Sequence, residues 1–312
     1  MRDFESELPE KVRRQARALG TAGHAWLAGL NSFIADLERR WAIKVGRLTR
    51  NATEAFVAEA RTDDGQDVVL KAVMPGFDPR RQELRTLRAA NGKGYARPIR
   101  CDEAENLLLL ERLGPQLHAL EEDADRRIAV ICATLTEAWM PHPEGPPFVT
   151  GAEKALELAH LIESHWAAFG ESCSGHTRDY ALACAQRRAR AFDPAQSVLA
   201  HGDAHEWNTL QVPGSAAFKF VDPDGAFAER AFDLAIPMRE WGNALPKGDL
   251  LQLGRARCGL LARLAGVDPQ PIWEWAMIQM VSNGLSLREI GVEEAARTSL
   301  AIAEAWAAAG DL

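Results

Sequence analysis

The feature that most restricts how this chain can fold is a pair of short apolar segments, each followed by acidic or amide side chains. Residues 197–200 form the first segment, and Asp203 and Asn208 come soon after it. Residues 218–221 alternate between apolar and polar side chains and end directly before Asp222. Segments of this kind, separated by a Pro-Gly turn, predict two strands whose end loops carry the three oxygen-bearing side chains.

The oxygens of these three side chains suit phosphoryl transfer. That reaction requires one carboxylate near the attacking hydroxyl and oxygen ligands for the magnesium ions that bridge the phosphates. Asp203 fits the first role, and Asn208 and Asp222 fit the second. The spacing from Asp203 to Asn208 is the one that kinase catalytic loops use.

Two other interpretations remain open for the same residues. Each side chain taken alone also fits an ordinary position in a turn or at a strand end. His201, Asp203 and His205 alternate along the chain and offer imidazole and carboxylate ligands to zinc, as in a metal-dependent hydrolase. Such a site would need further ligands, and the remaining histidines form no tight cluster in the sequence: His24, His118, His142, His160, His165 and His176.

Composition narrows the expected partners. The chain has 312 residues, of which 47% are hydrophobic, and a net charge of −8. It is therefore long and apolar enough for about two domains or lobes with a substantial core. An acidic chain without a Lys/Arg block is not expected to bind nucleic acid, and a cationic small molecule suits its charge better.

The cysteines and the hydropathy predict a cytoplasmic protein. The five cysteines are widely spaced and include no Cys-x-x-Cys pair, which argues against a disulfide framework or a structural zinc site. No stretch approaches the roughly 18 apolar residues of a membrane span, and the N-terminus is acidic. We therefore expect no membrane partner.

The hydrophobic period changes from helical to strand-like in the first third of the chain. Residues 8–41 carry apolar side chains at the three- and four-residue spacing of a helix. Residues 55–61 and 67–74 are strand-like and are joined by a hairpin turn at Asp64-Gly65. Residues 106–110 form a third apolar run. This region is therefore predicted to contain a helical preface and then a sheet.

Beyond Gly114-Pro115 the pattern is mostly helical, and strands return only around Asp203. The predicted fold is α+β. A small β-rich lobe with a helical preface, residues 1–113, would bind nucleotide. A larger, mainly helical lobe, residues 114–312, would carry the catalytic and acceptor sites.

Lys71 lies in the middle of an apolar strand, where an unpaired ammonium group is costly to bury. It either reaches solvent or meets an anion, and kinases use such a lysine to hold ATP phosphates. A helix predicted to begin at Asp78-Pro79 places Glu83 toward its packed face, so Glu83 is predicted to pair with Lys71. A local pair of Glu83 with Arg80 or Arg81 is the alternative.

Two further segments are assigned to the nucleotide. Residues 45–53 would cover the phosphates, and they contain a single glycine where protein kinases have three. The side-chain donors there are Thr49, Asn51 and Thr53. Residues 107–113 would form the hinge between the lobes, and the backbone groups of Glu111 and Leu113 are predicted to bind adenine.

Taken together, these residues make the chain resemble the aminoglycoside phosphotransferase superfamily, and within it the branch of streptomycin 6-kinases and hydroxyurea phosphotransferases. The resemblance covers nearly the whole chain. Its catalytic pieces are His201-Gly202-Asp203 with Asn208, Asp222-Pro223 with Gly225, and Phe232-Asp233-Leu234-Ala235. Its other pieces are residues 23–27 with Arg40-Trp41, Asp64-Gly65, Val69-Leu70-Lys71 and residues 108–113.

The resemblance implies a bilobal protein-kinase-like fold and the phosphorylation of a small-molecule hydroxyl with ATP and Mg²⁺. It makes Asp203 the catalytic base or hydroxyl-orienting residue, Asn208 and Asp222 the magnesium ligands, and Lys71 the phosphate-binding lysine. Asp233 resembles the acid that braces the catalytic loop in this family. An ordinary aspartate at a helix N-terminus is the alternative for Asp233.

The acceptor is expected to be cationic, because several acids lie in the stretch that would face it. They are Glu206, Asp224, Glu229 and Glu240. A streptomycin-type aminoglycoside is the leading expectation, and antibiotic resistance would then be the role. Hydroxyurea or a metabolic alcohol is the alternative within the same class. A non-catalytic binding protein with a kinase fold is the alternative outside it.

Overall fold

The computed structural model describes residues 2–49, 52, 55–75, 81–141, 148–169, 172–241 and 245–312. For Arg81 it describes the backbone only. The chain divides into two compact units, Met1–Gly114 and Pro115–Leu312.

The first unit contains a five-stranded antiparallel sheet with three helices before it. The helices are α1 (Phe4–Glu7), α2 (Glu10–Ala18) and α3 (Thr21–Trp41), and a fourth, α4 (Arg81–Ala90), follows the third strand. The strands are β1 (Ile43–Leu48), β2 (Ala55–Thr62), β3 (Asp67–Val73), β4 (Pro98–Asp102) and β5 (Leu107–Glu111). Their order in the sheet is β1-β2-β3-β5-β4. The predicted turn joins β2 to β3, and Gly65 takes a left-handed φ of 89° there.

Alternation along β3 decides where Lys71 points. Leu70 and Ala72 belong to the buried cluster that the sheet forms with α1, α2 and α3. Because successive side chains of a strand point to opposite faces, Lys71 lies on the face that these helices do not cover. Its strand neighbours are Val57 on β2 and Leu108 on β5.

The structure corrects several details of the first unit. The single helical stretch predicted over residues 8–41 is in fact two helices. Gly20, with a φ of 63°, interrupts the helical backbone between α2 and α3. Strands β1 and β4 were not predicted, and β1 occupies the start of the expected phosphate-covering stretch, residues 45–53. Within that stretch, Asn51 and Thr53 lie outside the described residues, as does the predicted helix start at Asp78-Pro79.

The second unit is mainly helical, with four short strands around the predicted motif. Its helices are α5 (Leu117–Leu120), α6 (Ala124–Ala138), α7 (Gly151–Ala168), α8 (Gly175–Arg190), α9 (Arg230–Arg239), α10 (Leu250–Ala265), α11 (Pro269–Glu289) and α12 (Glu293–Ala307). Strand β6 (Ser197–Ala200) pairs with β9 (Ala226–Glu229), and β7 (Thr209–Gln211) pairs with β8 (Phe218–Phe220).

Helix α11 forms the centre of the second unit. It packs against α7, α8, α9, α10 and α12, and it buries Trp273, Trp275 and Met277 among many other side chains. A helix that is apolar on nearly all sides suits such a central position. Across the described parts of the chain, no helix combines the length and the apolar character that a membrane span requires.

Candidate active site

The predicted catalytic residues lie on two segments that backbone pairing holds side by side. At one end the amide of Gly225 donates to the carbonyl of His201, at 3.0 Å. At the other end the amide of Val221 donates to the carbonyl of Asn208, also at 3.0 Å. The 201–208 loop is therefore bonded at both ends to the segment that carries Asp222.

Asp233, in the first turn of α9, braces this loop from the interior. Its fully buried carboxylate accepts hydrogen bonds from the amides of His201 (3.0 Å) and Gly202 (2.7 Å), and from Nε1 of Trp139 (2.9 Å). Three donors compensate for removing this carboxylate from water. Asp233 therefore contacts the catalytic loop directly, and its role is more than that of an acid at a helix N-terminus.

His201 is also buried, and both nitrogens of its ring hold the loop. Nδ1 accepts from the amide of Asp203 at 3.0 Å, and Nε2 donates to the carbonyl of Val221 at 2.9 Å. Burial lowers the pKa of His201, which keeps the ring neutral. His201 is therefore engaged within the protein and does not offer a nitrogen to zinc. No group of three His, Cys, Asp or Glu side chains in the described ranges is arranged to hold a metal ion, so the hydrolase alternative gains no support.

The Asp203 carboxylate is held by three neighbouring side chains. Oδ1 accepts from Nη2 of Arg239, the last residue of α9. Oδ2 accepts from Nδ2 of Asn208 at 3.2 Å and lies 3.2 Å from Nε2 of His205. With 29% of its side chain exposed, Asp203 is still accessible to a substrate.

This environment keeps Asp203 ionised. Burial by itself would raise the pKa of Asp203, but the charge of Arg239 and the hydrogen bond from His205 hold that pKa well below its usual range. Burial favours the neutral form of His205, but the hydrogen bond to Asp203 and the negative charge of Asp203 raise the pKa of His205. The site therefore presents a carboxylate that can accept a hydrogen bond from a hydroxyl group.

Asn208 and Asp222 present oxygen atoms suited to magnesium. Nδ2 of Asn208 donates to the carbonyl (3.1 Å) and the carboxylate of Asp203, so its Oδ1 faces away from Asp203. Asp222 is exposed and has a φ of 55°, which is uncommon outside glycine and often marks functional loops. Because Mg²⁺ prefers oxygen ligands, Asn208 Oδ1 and the Asp222 carboxylate are the groups that would hold it.

Three of the four acids expected near the acceptor lie on or beside the catalytic loop. Glu206 is part of the loop itself, and its carboxylate lies 3.4 Å from Nη1 of Arg127 and 3.6 Å from Nδ1 of His118. Asp224 is exposed, and partial removal from water together with the negative charge of Asp203 raises its pKa. Glu240 accepts from Nε of Arg239 at 3.4 Å. Asp224 and Glu240 therefore lie near the Asp203 carboxylate.

The carboxylate of the fourth acid, Glu229, is bound by other side chains of the protein. Its carboxylate accepts from Nε1 of Trp275 at 2.8 Å and from Nη1 of Arg188 at 3.2 Å. Arg188 also lies 2.5 Å from the carboxylate of Glu274, which is buried. Glu229 thus ties β9 to α8 and α11, and the expectation that it faces the acceptor is not supported.

In the first unit, Lys71 and Glu83 form the predicted ion pair. Nζ of Lys71 lies 2.7 Å from Oε1 of Glu83, and the two side chains are 7% and 5% exposed. A buried ammonium group requires such a partner. The pair fixes the position of the lysine on the face of the sheet that α1, α2 and α3 leave uncovered.

Of the two residues assigned to adenine, Glu111 is the last residue of β5 and Leu113 lies two positions beyond it. The amide of Glu111 donates to the carbonyl of Arg97 (3.0 Å), and its Oε1 accepts from the amide of Arg97 (2.8 Å). Glu111 therefore ties β5 to the segment before β4, and its amide is not available to adenine. Leu113 has a buried side chain. Adenine binding at these two positions stays a prediction.

The sequence reasoning missed Arg239, although it is the main charged partner of Asp203. The two residues are 36 positions apart, and no local pattern links them. The available signal is indirect, because Arg239 ends the same helix whose first turn carries Asp233.

Comparison with known proteins agrees with this site. The model of the aminoglycoside/hydroxyurea antibiotic resistance kinase family matches residues 40–291. Streptomycin 6-kinase of Streptomyces griseus is 28% identical over 296 residues, which cover 94% of each chain. Hydroxyurea phosphotransferase of Kitasatospora aureofaciens is 27% identical over 303 residues, which cover 96% of this chain and 85% of that protein.

Solved structures share the fold at low sequence identity. Choline kinase LicA from Streptococcus pneumoniae matches with a TM-score of 0.61 and 14% identity, over 90% of this chain and 99% of that one. A spectinomycin phosphotransferase in complex with ADP and spectinomycin matches with a TM-score of 0.52 and 12% identity, over 88% and 93%. The predicted α+β fold of protein-kinase type is confirmed.

Proposed function

Because the chain belongs to the aminoglycoside/hydroxyurea antibiotic resistance kinase family and is a small-molecule phosphotransferase, we propose that it transfers a phosphoryl group from ATP to a hydroxyl with the help of Mg²⁺. A streptomycin-type aminoglycoside is the acceptor we propose first. The observation that carries the proposal is the ionised Asp203 carboxylate, held by Arg239, with the Asn208 amide oriented beside it.

In the proposed reaction, Asp203 accepts a hydrogen bond from the acceptor hydroxyl and orients its oxygen toward the phosphorus. Since Arg239 keeps the pKa of Asp203 low, the carboxylate takes the proton only when the new O–P bond is well advanced. The loose transition state of phosphoryl transfer needs little earlier help from a base. Magnesium held by Asn208 and Asp222 would neutralise phosphate charge.

The nucleotide is assigned to the first unit. We propose that Lys71, held by Glu83, contacts the phosphates, and that backbone groups near Glu111 and Leu113 contact adenine. The buried Lys71–Glu83 pair supports this assignment, because it orients a lysine that would otherwise be costly to bury.

Turnover with defined acceptors tests the proposed function. ADP release would be measured with streptomycin and with hydroxyurea, and the phosphorylated product would be identified by mass spectrometry. In Asp203→Asn we expect turnover to fall by about 10²- to 10⁴-fold. The control is Asp179→Asn, an exposed acid of α8. Acceptor-dependent turnover that persists in Asp203→Asn would disprove the role of Asp203.

The nucleotide assignment has its own matched pair of variants. Lys71→Met should raise the KM for ATP roughly tenfold, since a charged hydrogen bond contributes about 1.5 kcal/mol or more. Lys93→Met removes an exposed lysine of the same unit and should leave that KM unchanged. Failure of Mg-ATP to raise the melting temperature of the wild-type protein would instead favour a non-catalytic member of the fold.

A further inference from the structure

Trp207 is an exposed tryptophan within the catalytic loop. All nine tryptophans of the chain lie in the described ranges, and among them only Trp207 is exposed, with 40% of its surface accessible to water. The others are buried or half-buried. A large aromatic surface left in water next to catalytic groups is typical of a binding site.

The position of Trp207 is held by three contacts. Its amide donates to Nδ1 of His205 at 3.2 Å, and its carbonyl accepts from Nε2 of Gln116 at 2.7 Å. One face of the indole is stacked on the ring of His118, with the ring centres 3.7 Å apart and the planes at 24°. The side chain is thus ordered before any ligand arrives, which reduces the entropic cost of binding.

The same contacts place Trp207 close to the reacting carboxylate. The His205 ring that receives the Trp207 amide lies, through its other nitrogen, 3.2 Å from Oδ2 of Asp203. One imidazole ring therefore separates the backbone of Trp207 from Asp203. Trp207 also directly precedes Asn208, so its side chain belongs to the same loop as Asp203 and Asn208.

The surroundings favour a positively charged ligand. Glu206 directly precedes Trp207, and its carboxylate lies 3.6 Å from Nδ1 of His118, the ring that is stacked on the indole. Arg127 lies 3.4 Å from the same carboxylate, and Asp224, on the segment bonded to this loop, is a further exposed acid. A flat cation such as guanidinium stacks on an indole face and is attracted by its π electrons.

We propose that the free face of Trp207 binds a planar cationic group of the acceptor, of the guanidinium class, and so helps to select the substrate. This inference rests on the proposed phosphotransferase function and deepens it by assigning an acceptor-binding residue. Trp207 acts in binding and takes no part in the transfer of the phosphoryl group.

The test measures binding and turnover separately, with streptomycin, a guanidinium-bearing compound, as the probe. In Trp207→Ala we expect the dissociation constant from calorimetry without ATP, and the KM for streptomycin, to rise about tenfold. The KM for ATP and the melting temperature should not change. Trp207→Phe retains an aromatic face and should recover most of the loss. Leu156→Ala, which shortens a side chain of α7 that is 55% exposed, is the control and should behave as wild type.

Equal streptomycin binding by the wild type and Trp207→Ala would overturn the inference and leave the phosphotransferase function intact. A change in the KM for ATP alone would also overturn it. If the wild type does not bind streptomycin, the inference is again wrong, and turnover of hydroxyurea then decides whether the proposed function stands. Weaker binding in Trp207→Ala without any turnover in the wild type would support the inference and disprove the catalytic proposal.

Discussion

Arg239 donates from Nη2 to Oδ1 of Asp203, so the far end of α9 contacts the carboxylate at the centre of the catalytic loop. The first turn of the same helix carries Asp233, which accepts from the amides of His201 and Gly202. One helix therefore fixes the backbone of the loop with one end and the charge of its reactive side chain with the other.

Removing the charge of Arg239 is expected to shift the pH dependence of the reaction. The pKa of Asp203 is held well below its usual range by Arg239 and His205, so Asp203 is ionised at neutral pH. In Arg239→Gln burial is no longer opposed by this charge, so the pKa of Asp203 rises and activity is lost at a higher pH as the solution is acidified. The acid limb of the plot of kcat/KM against pH should therefore shift to higher pH than in the wild type.

Two variants make this experiment specific. Arg239→Lys keeps a positive charge and should retain most of the wild-type profile, whereas Arg255→Gln changes an exposed arginine of α10 and should have no effect. If the acid limbs of Arg239→Gln and the wild type coincide, Arg239 does not control the ionisation of Asp203.

Asp233→Asn is expected to destabilise the second unit. The substitution replaces one carboxylate oxygen by an amide nitrogen, which cannot accept a hydrogen bond. That nitrogen then faces either the buried amide of Gly202, which donates to Oδ1, or the two donors of Oδ2, from His201 and Trp139. Hydrogen bonds to charged groups contribute about 1.5–3 kcal/mol, so the free energy of unfolding should fall by about 3 kcal/mol. Urea denaturation measures this change. Asp249→Asn alters an exposed N-cap of α10 and should be nearly neutral, because asparagine caps equally well. Equal stability of both variants would argue against the bracing contact.

Gly23 and Gly29, both on α3, allow a matched test of how closely α2 and α3 pack. A Cβ added at Gly23 would overlap the carbonyl oxygen of Ala16 on α2, whereas nothing lies within 4 Å of a Cβ at Gly29. Gly23→Ala should therefore cost about 2 kcal/mol or more, because backbone atoms must move. Gly29→Ala should stabilise the protein by about 0.5–1 kcal/mol through helix propensity. Thermal or urea unfolding would separate the two, and a neutral Gly23→Ala would mean that α2 and α3 do not cross closely there.

Thiol reactivity is expected to be confined to Cys101. Burial raises the pKa of Cys132, Cys184 and Cys258 to about 12 and that of Cys173 to about 11. A raised pKa keeps these thiols protonated at pH 8, and the thiolate is the reactive form. Ellman's reagent should therefore titrate one thiol rapidly in the native protein and all five after denaturation. Cys101→Ser should abolish the rapid phase, and a second rapid thiol in the native protein would refute the burial of the other four.

Local patterns predicted much of this protein, because they concern residues that are close along the chain. Alternation in the third strand was enough to place Lys71 within the sheet, and Asp64-Gly65 indicated the hairpin turn. The spacing of five residues between Asp203 and Asn208 allows the observed bond between the two side chains. The same patterns predicted a helical stretch for residues 8–41 but did not resolve the break at Gly20.

The partners of charged residues required the folded structure. Nothing in the sequence indicates that Glu206 is bonded to Arg127, 79 residues away, or that Glu229 is bonded to Arg188, 41 residues away. Arg239 reaches Asp203 from 36 residues away because α9 is packed against α11 and anchored by Asp233. Hydrophobic periodicity encodes which face of a helix or strand is buried. It carries no information about which distant charge meets another, since that depends on how the completed elements pack.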